Sequence, residues 1–392
     1  MNKPLFLAEL TDGAGNCCEL ELPASDYQVL DAMEQLGGGS AGFPDCTVVH
    51  YYDYSFLAPV LEKQRSLCAF NTLAEKLAEL DPIQATAFEG LVTMESQKHP
   101  GSIKLERLFC LAHNTDSCNT DSCNTAPARN DRELGKFYAD NGFLPELEDV
   151  PECVYNLLDF EKIGRKARES EQGVFTSGGY AVQTGEISPV HAEMEHPFQR
   201  PDYMLRLTLG TPNNSRTAAL ELPADKEKAT AVLTVLNISS LDQAEVQHCD
   251  GPVPLEVLGL QRLEHPDKLN VLAQMMQAME ERDELATYKA VLHAADCRKL
   301  EDALYLAQNI EHYRLEPAQH SPVDVARDAL ALAMDQESAE QLLPYVDLYS
   351  YGKALLNNQN AVLTPYGLVQ DRDGGPIYIT APSRSYGMLE MN

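Results

Sequence analysis

Four groups of residues in this chain of 392 have types and spacings that could do chemistry. Gly37, Gly39 and Gly42 satisfy G-x-G-x-x-G, which cradles a pyrophosphate when it follows a strand and opens a helix. Here it follows a helix-like pattern and runs into Phe43-Pro44, so it reads as a flexible turn. His191, Glu195 and His196 resemble a zinc-protease motif. That motif needs histidines four apart on one helix face, whereas these are five apart and precede Pro197. Cys118 and Cys123, with His113 nearby, make a poor zinc set inside a low-complexity stretch. The last group is carboxylate: Glu280, Glu281, Asp283 and Glu284 form one acidic cluster, and Glu146, Glu148, Asp149 and Glu152 another. Such clusters serve helix N-termini and solubility, or form a spaced array that imitates phosphates.

No Walker sequence, G-x-S-x-G elbow or kinase-type signature occurs, and no pair of the 60 acidic residues stands out as an acid/base couple. The expectation is a protein that is not an enzyme, with no cofactor and no metal. With 30 basic residues the formal charge is −30, divided as −16 up to Val190 and −14 after it. An excess of this size is repelled by nucleic acid and anionic membranes and attracted to basic surfaces, including the clefts of DNA-binding proteins. No stretch approaches the roughly 18 apolar residues of a membrane helix, and Met1 to Leu10 does not read as a signal peptide. Eight of ten cysteines precede residue 160 and no C-x-x-C occurs, so reduced thiols and a cytoplasmic location are expected.

The elements that would position these residues come in two sets. Leu20-Glu21-Leu22-Pro23-Ala24 returns as Leu220-Glu221-Leu222-Pro223-Ala224. Asn71-Thr72-Leu73-Ala74 is matched by Asn270-Val271-Leu272-Ala273, and Thr86-Ala87-Phe88 by Ala286-Thr287-Tyr288. Lys104-Leu105-Glu106 to Asn114 pairs with Lys299-Leu300-Glu301 to Asn309. Asp159 with Gly164-Arg165 pairs with Asp347 and Gly352-Lys353. This order predicts a tandem duplication of an elongated α+β module of about 190 residues.

Each copy divides into three. The first part has a strand-like run (Leu5 to Leu10; Met204 to Leu209), the LELPA segment, a helix (Tyr27 to Leu36; Lys226 to Leu236) and, in the first copy, a further strand from Cys46 to Tyr52. The second is a helix pair, carried by Leu73, Leu77 and Leu80, then Ile103, Leu105, Leu108 and Leu111; in the second copy Leu272, Met275, Met276 and Met279, then Leu300, Leu304 and Ile310. The third opens with a helix (Arg132 to Asn141; Val323 to Met334), continues through an apolar stretch (Val154 to Ala167; Leu342 to Leu355) and ends in a strand (Gly173 to Thr176; Ala361 to Thr364). The expected domains are an α+β unit at 1–70, a helical unit at 71–128 and a second α+β unit at 129–185. A linker at 186–201 follows, then the same three at 202–268, 269–320 and 321–392, the last with a tail. Asn114 to Ala126 reads as a loop expansion of the first copy only.

Leu158-Asp159-Phe160-Glu161-Lys162-Ile163-Gly164-Arg165, followed by Val174-Phe175-Thr176 and the Gly178-Gly179 turn, resembles the C-terminal segment of ArdA-type antirestriction proteins. The helix ends at Leu111 to Asn114 and Leu306 to Asn309, and the helix starts at Asn71 and Asn270, are similar to the same family. The resemblance implies three small domains in a row whose acidic surface imitates bent duplex DNA and occupies the DNA-binding groove of type I restriction-modification enzymes. It also implies a mobile genetic element as the source, and dimers formed through the third domain. A tandem copy would then be a pseudo-dimer within one chain, or a homodimer.

On that resemblance the acids expected to meet the partner are Glu75, Glu79, Asp81, Glu89, Glu146, Glu148, Asp149, Glu280, Glu281, Asp283, Glu284, Glu301 and Asp302. Asp159, Gly164, Arg165, Asp347, Gly352 and Lys353 are the expected interface motif, with Lys353 keeping the charge of Arg165 but losing its planar fork. The alternative is an interaction module of the same fold that binds another defence complex or a DNA-binding regulator without true mimicry.

Overall fold

Phe6, Ala8 and Leu10 are buried while Leu7, Glu9 and Thr11 between them are half-buried, the alternation of a strand with one face on a core. In the computed structural model, which describes residues 3–377 apart from 14, 38–43, 62–65, 116–121, 148–150, 156, 191–197 and 212–213, these residues form β1 (Phe6–Thr11). The chain then runs through β2 (Cys17–Leu22), α1 (Asp26–Gln35), β3 (Asp45–Tyr51), α2 (Leu67–Ala78), α3 (Pro82–Lys98), α4 (Leu105–His113) and β4 (Cys123–Ala126). After these come α5 (Asp131–Asp140), α6 (Glu152–Tyr155), α7 (Phe160–Glu171), β5 (Val174–Phe175) and β6 (Tyr180–Gln183).

The later part repeats the order. It contains β7 (Leu205–Thr211), β8 (Asn214–Leu222), α8 (Lys226–Leu236), β9 (Glu245–Asp250), α9 (Leu255–Leu258), α10 (Pro266–Glu281), α11 (Leu285–Ala294) and α12 (Leu300–Gln308). It ends with β10 (Tyr313–Glu316), α13 (Pro322–Ala333), α14 (Gln336–Leu342), α15 (Leu348–Gln359), β11 (Val362–Thr364) and β12 (Gly367–Asp371). The fold is α+β, with helices beside small antiparallel sheets ordered β2-β1-β3, β4-β6-β5, β8-β7-β9 and β10-β12-β11.

Backbone contacts divide the chain into two units. The first joins 1–24 to 42–198 and the second joins 25–41 to 199–392. Helix α1, inside the expected 1–70 domain, is therefore grouped with the second unit.

The LELPA segments form the ends of edge strands. Leu20 and Leu22 pair with Ala8 and Phe6, Leu220 and Leu222 with Leu207 and Leu205, and all eight are buried. The prolines that follow are both cis. The next residue of each is held by a helix. The Asn71 amide accepts from the Ala24 N–H at 2.7 Å and donates to its carbonyl at 2.9 Å; Asn270 does the same to Ala224 at 2.7 and 3.2 Å.

The helical parts contain three helices where a pair was expected. Helix α3 buries Thr86, Ala87, Phe88, Gly90, Leu91, Val92 and Met94, which lie all around it, so no single apolar stripe announced it. Leu80 falls beyond the end of α2, and Ile103 forms a bridge with Leu61 before α4 begins. In the second unit Leu272, Met276 and Met279 enter a core shared with Leu207, Leu209, Tyr288, Val291 and Leu306.

Two strands fall across the expected boundaries. Cys123–Ala126, inside the stretch read as a loop expansion, pairs with β6, and Tyr313–Glu316 pairs with β12, so both join the C-terminal sheets. Each is four residues long, too short for a periodic signal. The expected linker is fastened at its start: Asn114 donates to the Ser188 carbonyl at 3.0 Å and accepts its N–H at 2.9 Å. Gly37 follows α1 with φ +89°; Gly39, Gly42, Cys118 and the linker residues His191, Glu195 and His196 lie outside the described residues.

Candidate partner-binding surface

The expected acids gather at corners between helices. Glu75 and Glu79 lie near the end of α2, and Asp81 is the N-cap of α3 two residues further on. Glu280 and Glu281 end α10, Asp283 follows in the left-handed region at φ +56°, and Glu284 precedes α11. The turn between the first two long helices of each helical part is therefore acidic in both units. Glu301 and Asp302 occupy the first turn of α12, where the helix dipole favours negative charge.

Not all of this charge faces water unopposed. Glu79 is 3.8 Å from Lys76, Glu284 2.9 Å from Arg282, and Glu301 2.9 Å from Lys268. The hydrogen bond from Lys268 also holds the Glu301 carboxyl below its ordinary value. Glu75 accepts from the Asn71 amide at 3.0 Å, and Glu89 accepts from the Ser177 hydroxyl at 2.5 Å and its N–H at 3.0 Å, fixing the β5–β6 turn to α3. Glu146, Glu281 and Asp283 are exposed with no ion-pair partner among the described residues, and Asp302, half-buried, has none either. Glu148 and Asp149 lie outside the described residues.

The expected interface motif has a packing role in each unit. A Cβ on Gly164 would stand 1.8 Å from the Asp131 carbonyl oxygen at the start of α5. A Cβ on Gly352 would stand 1.8 Å from the Pro322 carbonyl oxygen at the start of α13. These glycines let α7 cross α5, and α15 cross α13, backbone against backbone. Asp159 caps α7 through the Lys162 N–H, and Asp347 caps α15 through the Ser350 N–H, each at 3.1 Å. A hydrogen bond from the Ser350 side chain, helped by that backbone bond, holds the Asp347 carboxyl below its ordinary value. Arg165 is exposed and pairs with Glu161 at 2.7 Å, whereas Lys353 lies 4.7 Å from the Tyr349 ring. Large apolar side chains are exposed in the C-terminal part of each unit: Leu157 is 82% exposed in the first, Leu332 90% and Tyr345 85% in the second.

One charged group escaped the sequence reading. Within the second unit Lys289 of α11 meets Asp31 and Glu34 of α1, while Arg200 joins Glu34 to Glu280. Glu280, expected on the surface, is thus partly used inside. The available signal was Lys289 itself, a lysine within the apolar run Tyr288 to Leu292.

Among the described residues no three His, Cys, Asp or Glu side chains converge as a metal site, and no helix is long and apolar enough to cross a membrane. The cysteines described are free. No protein-family model matches the chain, and none of the characterised proteins compared with it matches either.

Proposed function

We propose that this protein is a non-enzymatic, cytoplasmic antirestriction protein of the ArdA type, a tandem duplication whose carboxylates stand in for DNA phosphates in the groove of a type I restriction-modification enzyme. The observation that carries this reading is the acidic corner that recurs between α2 and α3 and between α10 and α11, in corresponding turns of the two helical parts although the acids do not match residue for residue. The charge balance supports it. Were every Lys and Arg paired one to one, 30 carboxylates would still be unneutralised. At one charge per roughly 1.7 Å, that excess corresponds to about 50 Å of duplex, about one and a half turns.

The duplication is supported by the matching sheet orders, the two Asn clamps and the two glycine crossings. The chain, as a pseudo-dimer or a homodimer, would bind a DNA-binding protein and neither nucleic acid nor membrane. A second reading, an interaction module for another defence complex or a regulator, is favoured by the exposed Leu157, Leu332 and Tyr345, since apolar anchors serve protein interfaces better than phosphate imitation. Competition of the purified chain against DNA for a type I methyltransferase core separates them. Mimicry expects displacement at low salt that fades as salt rises; no binding at low salt sinks it.

A further inference from the structure

Lys289 is 5% exposed, and its ammonium stands 2.5 Å from Asp31 Oδ1 and 2.5 Å from Glu34 Oε2. The two carboxylates are three residues apart on α1, so they project from one face of it. Tyr366, in the turn between β11 and β12, donates its hydroxyl to Asp31 at 2.9 Å, and its ring centre lies 5.2 Å from the Lys289 ammonium. Arg200 closes the other side, 3.6 Å from Glu34 and 2.9 Å from Glu280. Two cations, three carboxylates and a phenol thus meet where α1 packs against α10, α11 and the β11–β12 turn.

The buried apolar residues of α1, Tyr27, Val29, Ala32 and Leu36, are not among those of the core that α10, α11 and α12 share, so the charged cluster rather than an apolar stripe meets α11. A buried ammonium is more selective, because a helix without carboxylates at the two facing positions leaves it uncompensated. The positions aligned with Asp31 and Glu34 on α8 carry Ala231 and Thr234, and the position aligned with Lys289 carries Glu89. That comparison rests on the duplication alone and is independent of what the protein binds.

We propose that the Asp31–Glu34–Lys289 cluster is a recognition lock that assigns helix α1 to its seat against α11 and rejects its counterpart α8 from it. The lock fixes which of two similar helices occupies the seat, and in which rotation.

Hydrogen–deuterium exchange of the full chain, read on peptides from α1 and from α10 to α12, tests it. Lys289→Glu should raise exchange across α1 at least about tenfold while α10 to α12 stay protected, and the milder pair Asp31→Asn with Glu34→Gln should act in the same direction. Adding Asp31→Lys to the Lys289→Glu chain should restore protection of α1. Unchanged exchange in α1, an equal rise throughout α10 to α12, or failure of the reversed pair to restore protection would each overturn the proposal.

Discussion

Asn71 holds Ala24 by both of its backbone polar groups, accepting the N–H at 2.7 Å and donating to the carbonyl at 2.9 Å, with only 3% of the asparagine exposed. A side-chain amide is the one neutral group that presents an acceptor and a donor side by side, so it can stand in for a neighbouring strand. Truncation would leave two buried backbone groups without partners. Asn71→Ala should therefore cost about 2–4 kcal/mol, the sum of two unsatisfied groups at about 1–3 kcal/mol each less some relaxation. Asn270→Ala should cost less, because its longer 3.2 Å bond and half-buried setting have less to lose. Chemical denaturation of both variants checks the order.

Gly164 and Gly352 give a prediction of sign. Replacing an exposed mid-helix glycine by alanine ordinarily stabilises by about 0.5–1 kcal/mol. Here the added methyl would meet a carbonyl oxygen at 1.8 Å, which no rotamer can avoid, so α7 or α15 must move off its partner. Gly164→Ala and Gly352→Ala should each destabilise by about 1–3 kcal/mol or more. Gly13, whose added Cβ meets nothing within 4 Å and whose φ is not positive, is the control for space alone. Thermal unfolding midpoints decide it.

These two relationships show what the sequence could and could not say. Aligning the halves picked out Asn71 with Asn270 and Gly164 with Gly352, yet their reasons lie with Ala24, Ala224, Asp131 and Pro322, tens of residues away. A periodic pattern reports which face of a helix is buried, so α2, α8 and α10 were legible, but α3, buried all around, was not. The strands Cys123–Ala126 and Tyr313–Glu316 owe their existence to β6 and β12, not to their own residues. Asp31 and Glu34 were not singled out in the sequence because nothing near them marks Lys289 as their partner. Of the candidate surface, the corners were legible because adjacent acids share a turn; their pairing with Lys76, Arg282 and Lys268 was not.

Glu95 of α3 takes two hydrogen bonds from Arg107 of α4, at 3.1 Å and 2.8 Å. Those bonds, against the opposing cost of partial burial, hold its carboxyl below the ordinary 4.5. A carboxyl depressed by folding adds stability that is complete above its unfolded value and is lost as pH falls through its folded value. The wild type should therefore lose stability below about pH 4.5 more steeply than Arg107→Met, in which the depression is removed. Arg107 is partly exposed, so the difference should be about 1 kcal/mol at neutral pH. Urea midpoints between pH 3 and pH 6 for the two chains give the comparison; parallel curves would exclude the pair as a contributor.

Asp81 is both a candidate acid and a helix cap, and the two roles can be separated. Asp81 accepts the Ile83 and Gln84 N–H groups, both at 2.8 Å, while Glu281 is exposed without an ion-pair partner among the described residues. Asparagine caps a helix about as well as aspartate, and it tolerates the left-handed backbone of Asp283. Asp81→Asn, Glu281→Gln and Asp283→Asn together remove three charges while keeping shape and caps. Stability should change by less than about 0.5 kcal/mol, whereas Asp81→Ala alone should cost about 1 kcal/mol through the lost cap. If the carboxylates act as phosphates, the triple variant should compete with DNA about tenfold less well at low salt, at about 0.2–1 kcal/mol per exposed charge, with a smaller deficit as salt screens the rest. Equal competition by the triple variant and the wild type would show that these corners carry charge only for solubility.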